Sequence, residues 1–198
     1  GAADNNRQLA ELGLFAPGQA GQLEQVSLQR DPFVNPVSLQ ALADNVIAWV
    51  SGDGLWRMDL ATKKPELLLD SQQTLAASLH HASYSKRNGR FLLSCQQNGK
   101  ALLYEFDPQA TDNGIRAVPT GVGLRDATWL GGSAERSGGL VARQNRVLVT
   151  QSKNVPAVPS AMSWANIENL TVTADGRQAF LLGTMTNEPA AGIWHFNL

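Results

Sequence analysis

Beyond Pro17 the apolar residues fall in short runs, many alternating with polar ones, and the runs are separated by Gly, Asn, Asp and Pro. A period of two places successive side chains on opposite faces of a strand, and the separators are turn formers. The helical period is met from Asn5 to Leu14, where Leu9, Leu12 and Gly13 predict a short capped helix that Pro17 stops. The expected organisation is an N-terminal extension over residues 1–20 and one all-β domain over residues 21–198.

The runs repeat. Tyr84-Ser85-Lys86-Arg87-Asn88-Gly89-Arg90-Phe91-Leu92-Leu93-Ser94 matches Thr171-Val172-Thr173-Ala174-Asp175-Gly176-Arg177-Gln178-Ala179-Phe180-Leu181. Each reads as a strand, an Asn-Gly or Asp-Gly followed by Arg, and a second apolar strand. Those dipeptides supply the positive φ angles of a tight hairpin. Ala43 to Val50 is a weaker copy, with Asn45 in the Gly position.

A second landmark follows each hairpin: Leu55-Trp56-Arg57-Met58-Asp59, Leu103-Tyr104-Glu105-Phe106-Asp107 and Ile193-Trp194-His195-Phe196-Asn197. An apolar residue, an aromatic, a polar residue, an apolar residue and a closing Asp or Asn describe a two-faced strand running into a turn. A further strand ends two of the units, at Glu66–Leu69 and Ile115–Val118. Asn45 and Gly89 lie about 44 residues apart, and Gly89 and Gly176 about twice that, a spacing typical of propeller blades. One divergent unit must lie between, sketched by Asp126–Leu130, Gly139–Ala142 and Arg146–Thr150.

The predicted architecture is therefore a β-propeller of about four blades. The last unit stops at its third strand, Ile193 to Leu198, and the orphan run Gln22 to Leu28 is expected to pair beside it and close the ring. The alternative is an open fragment of a larger propeller. The Asp-Gly-Arg hairpin followed by an aromatic strand ending in Asp resembles the WD40-like (PD40) blades of TolB-type propellers. The Trp-Ser-Pro opening of those blades is absent, the third unit lacks the Asp-Gly turn, and four blades are fewer than that family's usual six. The resemblance implies a periplasmic or other extracytoplasmic setting and is nearly silent on activity, because propellers host many functions.

Composition narrows the field. The formal net charge of −1 argues against nucleic acid, which draws on a clustered excess of Lys and Arg. Lys63-Lys64 and Lys86-Arg87 sit beside turn signals and read as solvated loop charge. No run approaches the ~20 apolar residues of a membrane-spanning helix. The opening Gly1-Ala2-Ala3-Asp4-Asn5-Asn6 is not a signal peptide, and a start without Met points to a segment removed upstream. A single cysteine, Cys95, forms no internal disulfide, and its apolar run makes it a buried side chain.

Chemistry-bearing motifs are scarce. Ser133 lacks the second Gly of a nucleophile elbow, and Gly131–Gly139 reads as a flexible loop. No P-loop or dinucleotide fingerprint occurs, so no cofactor is expected. His80 and His81 are adjacent and point to opposite strand faces, a poor geometry for a shared metal. Asn169-Leu170-Thr171 matches a glycosylation sequon at a strand start. Trp56, Tyr104 and Trp194 recur at one repeat position and read as packing between blades, and Trp129 reads as core.

Repeat alignment yields a candidate surface. His81 and Glu168 both stand eight residues before a turn Gly, and Asp126 leads into the third unit. With Arg125, with Trp164 and Asn166 in a presumed loop, and with Phe33 and Asn35, they could line one mouth of a central channel. An ordinary water-filled channel mouth explains the same residues. No catalytic or metal-binding residue is assigned. The expectation is a non-enzymatic binding or sensor domain of the bacterial envelope, engaging a protein or peptide through one propeller face. Alternatives are the propeller of a hydrolase or peptidase, marked by an adjoining catalytic domain, and a glycan-binding propeller, marked by exposed Trp56 and Trp194.

Overall fold

The computed structural model describes residues 12–15, 23–26, 36–119, 127–135, 138–143, 147–151, 164–173 and 175–197. Strands β1 (Leu12–Phe15) and β2 (Leu23–Val26) pair antiparallel with each other. Four antiparallel sheets follow, each ordered as the chain runs. Blade I holds β3 (Val37–Ala43), β4 (Val46–Ser51), β5 (Gly54–Asp59) and β6 (Lys64–Asp70). Blade II holds β7 (Ser78–Ser85), β8 (Arg90–Gln97), β9 (Lys100–Phe106) and β10 (Ile115–Ala117). Blade III holds β11 (Ala127–Ser133), β12 (Gly138–Arg143) and β13 (Val147–Gln151), and blade IV holds β14 (Trp164–Val172), β15 (Gln178–Met185) and β16 (Gly192–Asn197). The divergent third unit thus forms a sheet as expected.

Two N-terminal expectations are corrected. Leu12–Phe15 is a strand rather than the end of a helix; residues 1–11 lie outside the described residues. The orphan strand exists as β2, but its partner is β1, not β16. A nearby hairpin partner closes a short loop, whereas β16 lies at the far end of the chain. A third correction concerns Gly131–Gly139, where β11 and β12 pair down to Ser133 and Gly138 in place of a long loop.

The hairpins carry the predicted turn chemistry with one shift. Gly89 and Gly176 adopt φ of +70° and +66°, but in blade II the loop holds four residues between the paired Ser85 and Arg90. The two-residue Asn-Gly turn occurs one hairpin later: Asn98 (φ 49°) and Gly99 (φ 73°) join the paired Gln97 and Lys100. The closing Asp of the second landmark caps a turn. Asp59 Oδ1 accepts from the backbone N–H of Ala61 at 2.7 Å, and Asp107 Oδ1 from that of Gln109 at 3.0 Å. Helix α1 (Ser71–Leu75) links blades I and II. The Asp70 carboxylate caps it by accepting from the Gln73 N–H at 3.0 Å, and Ala76 ends it at φ 50°.

Blades pack face on face in chain order. Ala48, Val50 and Leu55 of blade I meet Phe91, Leu93, Cys95 and Phe106 of blade II in the largest core cluster, flanked by Tyr84 and Tyr104. Leu92, Ala101 and Leu103, on blade II's other face, bury against Ala134 beyond β11. In blade IV, Trp164, Ile167, Leu170, Ala179, Leu181 and Phe196 form a third cluster. Contacts pass from β3 to β7, from β7 to β11 and from β11 to β14, and no contact of that extent joins β14 back to β3 among the described residues. Among the described residues the blades form a propeller arc with no comparable contact between the fourth and the first.

Phe91 sits at the centre of the main cluster, fully buried, 4.9 Å from the Tyr84 ring and 6.3 Å from that of Phe106. Phe91→Ala is expected to lower unfolding stability by about 3–5 kcal/mol, measured by urea denaturation. A loss below about 1 kcal/mol would show that the first two blades do not share this core.

Candidate functional site

The first strand of each blade lies innermost, and β3, β7, β11 and β14 are the strands through which successive blades touch. Each carries a bulge. Pairing skips a residue between Leu79 and His81 in β7, between Trp129 and Gly131 in β11 and between Ile167 and Asn169 in β14, and it shifts between Val37 and Gln40 in β3. The extra residues are therefore His80 in β7, Leu130 in β11, and Glu168 in β14, where pairing also skips Ala165 between Trp164 and Asn166. A bulge leaves its residue outside the ladder and re-aims the side chain, which is why bulges gather beside binding sites.

This register changes the repeat alignment. Aligning on the turn Gly matches Phe91 to Gln178. Cross-strand pairing instead matches Tyr84–Phe91 to Val172–Ala179, one residue later. A one-residue slip exchanges the two faces of a strand. The counterpart of Glu168 is thus His80, and that of His81 is Asn169, which pairs with Leu182 as His81 pairs with Ser94. His80 is exposed. It is the inner-strand residue that sequence reasoning passed over, because a bulge leaves no mark in composition or period.

His81 occupies a different environment. It is half-buried, its Nδ1 is enclosed without a protein partner, and its cross-strand neighbour Ser94 is fully buried with an unpartnered Oγ. Desolvation pulls the His81 pKa down to about 4, so the ring is neutral at ordinary pH. Nearby, the Ser85 hydroxyl donates to the Glu135 carboxylate and ties the blade II hairpin to the end of β11.

The inner edge of β7 is capped by side chains from blade I. Gln40 Nε2 donates to the Ala82 carbonyl at 2.9 Å, while its Oε1 accepts from the Tyr84 N–H at 2.6 Å. Ser38 Oγ accepts from the Ala82 N–H at 3.3 Å. The Gln40 amide thereby takes the place of a neighbouring strand's peptide group on an edge that would otherwise be open.

The remaining predicted residues divide. Trp164, expected in a loop, is the first residue of β14; its ring is buried and packs edge-on against Trp194 (5.7 Å) and Phe196 (6.1 Å). Its aromatic partners give it a packing role that the lone Ser163-Trp164 context did not reveal. Asn166 is exposed on β14, and Glu168 occupies the β14 bulge. Arg125, Asp126, Phe33 and Asn35 lie outside the described residues. The structure thus places His81 on β7 and Asn166 and Glu168 on β14, two inner strands that both flank β11. Among the described residues no group of three His, Cys, Asp or Glu is placed to hold a metal. Cys95 is buried, and burial and the Asp53 charge push its thiol up to about 12.

No protein-family model matches the chain, and no curated protein matches it. Solved structures do. TolB from Acinetobacter baumannii is similar with a TM-score of 0.58 and 14% identity, over 89% of this chain and 44% of that one. The calcium-binding protein regucalcin from Agrobacterium tumefaciens is similar with a TM-score of 0.51 and 12% identity, over 88% of this chain and 60% of that one. Likeness at such identities establishes the propeller-type fold. The chain spans under half the length of the TolB chain and three fifths of the regucalcin chain.

The His81 environment predicts a pH dependence. The unfolded chain takes up the His81 proton near the ordinary value of 6.5, whereas the folded chain resists it down to about 4. Between those values the unfolded state binds more protons, so stability falls as pH drops from 6.5 towards 4. The loss from this group approaches about 3 kcal/mol and saturates below the folded pKa. Thermal melts of the native chain and of His81→Gln across that range test it; an identical pH slope in both removes His81 as the cause.

Proposed function

We propose that the chain is a non-enzymatic binding domain that engages a protein or peptide along its inner strands, in the bacterial envelope. The observation that carries this reading is the recurring bulge. Three successive inner strands set residues out of the ladder, one each in β7 and β11 and two in β14, and the adjoining sheets hold them in series. Bulges recurring along adjacent inner strands suit an extended partner better than a compact substrate. The proposed contacts are His80, Asn166 and Glu168, with Arg125 and Asp126, which precede β11 in the chain; the enclosed His81 backs them from within the sheet. Trp164 supports them by packing β14 against β16. The likeness of fold to TolB is consistent with this use. Among the described residues no helix is long and apolar enough to cross a membrane.

Photo-crosslinking in cells tests the reading. A benzophenone side chain at His80 or Asn166 is expected to give a discrete protein adduct from the envelope fraction. The same group at Glu66, exposed on the outer strand β6, is expected to give none. Adducts of equal strength at all three positions, or none at the first two, would refute binding at the inner strands.

A further inference from the structure

The three connections of blade II each hold an Asn-Gly dipeptide: Asn88-Gly89 between β7 and β8, Asn98-Gly99 between β8 and β9, and Asn113-Gly114 between β9 and β10. Asn-Gly is open to intramolecular attack on the Asn side chain, because glycine has no Cβ to shield its amide nitrogen. The attack requires the Gly N–H to give up its proton. A hydrogen bond donated by that N–H opposes the step, since the bond must first be broken.

The three sites differ in that respect. The Gly89 N–H donates to the Ser85 carbonyl at 2.9 Å. The Gly114 N–H donates to Asp112 Oδ1 at 2.8 Å, and the carboxylate charge further disfavours loss of a proton beside it. The Asn side chains are tied down there too: Asn88 Oδ1 accepts from the Arg90 N–H at 3.0 Å, and Asn113 Oδ1 from the Ile115 N–H at 3.2 Å. Asn98-Gly99 has neither restraint. Among the described residues no hydrogen bond engages the Gly99 N–H or the Asn98 side chain. The hairpin explains the difference: its ladder ends at the paired Gln97 and Lys100, and a two-residue turn leaves its central amides outside the ladder. Asn98 and Gly99 are both exposed, and nothing stands within 4 Å of a Cβ placed on Gly99.

We propose that Asn98-Gly99 is a self-modification site, at which the chain converts a neutral amide into a carboxylate. The Gly99 nitrogen bonds to Asn98 Cγ, the Cγ–Nδ2 bond breaks, and ammonia leaves with the amide proton, closing a succinimide ring. Water then opens the ring. Cleavage of the new N–Cγ bond leaves aspartate, and cleavage of the original peptide bond leaves isoaspartate, with an added methylene in the main chain. Either product adds a negative charge to a chain of formal net charge −1. Isoaspartate also lengthens the two-residue turn and so disturbs the pairing of Gln97 with Lys100. Gln97 Nε2 donates to the Leu75 and Ala76 carbonyls at 3.4 and 3.2 Å, which carries the disturbance to the end of helix α1. Ser94 and Cys95, the β8 partners on either side of the His80 bulge, stand a few residues away, so the new charge falls at the His80 end of blade II. The reaction does not depend on the inner-strand reading, and either can fail alone.

Peptide mapping of the folded chain, held in mildly alkaline buffer at physiological temperature, tests this, with mass spectrometry locating each Asn-to-Asp conversion. Asn98 is expected to convert at least about fivefold faster than Asn88 or Asn113, the effect of one hydrogen bond retained at each of the slower sites. In concentrated urea the three rates are expected to converge, because the turns that distinguish them are gone. Asp112→Ala frees the Gly114 N–H at an exposed position. It is expected to speed conversion at Asn113 and to leave that at Asn98 unchanged. Asn98→Gln is expected to remove the first acidic species that ion-exchange chromatography resolves. Equal rates at the three sites of the folded chain, or conversion slower at Asn98 than at either other site, would overturn the proposal. An Asn113 rate indifferent to Asp112→Ala would overturn the role given to the N–H hydrogen bond.

Discussion

Face-to-face burial between blades is the interaction on which everything else rests. A single sheet of three or four strands buries one face at best, and blades I and II here build their main core from each other. The cluster that joins Ala48, Val50 and Leu55 to Phe91, Leu93 and Phe106 shows how. Strand β4 is buried along most of its length because both faces are covered, whereas β15 alternates strictly between buried and exposed because one face is bare. The same alternation of residues therefore yields different burial according to what lies against it.

Blade packing also decides the fate of the inner edges. Stacking brings β3 beside β7, but the two belong to different sheets and form no ladder with each other. The open backbone groups at Ala82 and Tyr84 would be costly to leave unpaired there. Gln40 and Ser38 satisfy them from the neighbouring blade. The bulges belong to the same geometry: they twist and bend the inner strands, and in doing so they expose His80 while His81 turns inward. Two adjacent histidines thereby acquire opposite properties, one exposed and one held neutral by desolvation.

Much was legible from the order of residues alone. Alternating and apolar runs between turn formers located most of the blade strands, and the repeat spacing located the divergent third blade, whereas β1 fell where a helix was expected. The Asp or Asn closing each aromatic strand was legible too, and Asp59 and Asp107 prove to cap turns through local hydrogen bonds. The Gly89 and Gly176 conformations followed from the absence of a Cβ. All of these are short-range effects, settled within a few residues by sterics and local hydrogen bonding.

What tertiary structure decided was register, partner and face. Counting from the turn Gly misaligned blades II and IV by one residue, which exchanged the faces and drew attention to His81 and Glu168 as equivalents when Glu168 corresponds to His80. Strand β2 had the composition to pair with any open edge, and it took β1. Trp164, unremarkable in its local sequence, became core once Trp194 and Phe196 lay against it. The alternation of β15 and β16 announced two faces but not which would be covered, since burial depends on a neighbouring sheet that no local pattern encodes. The sequence by itself determined that this chain forms blades; only their packing determined which side chains became core, which were turned to the axis and which were left bare.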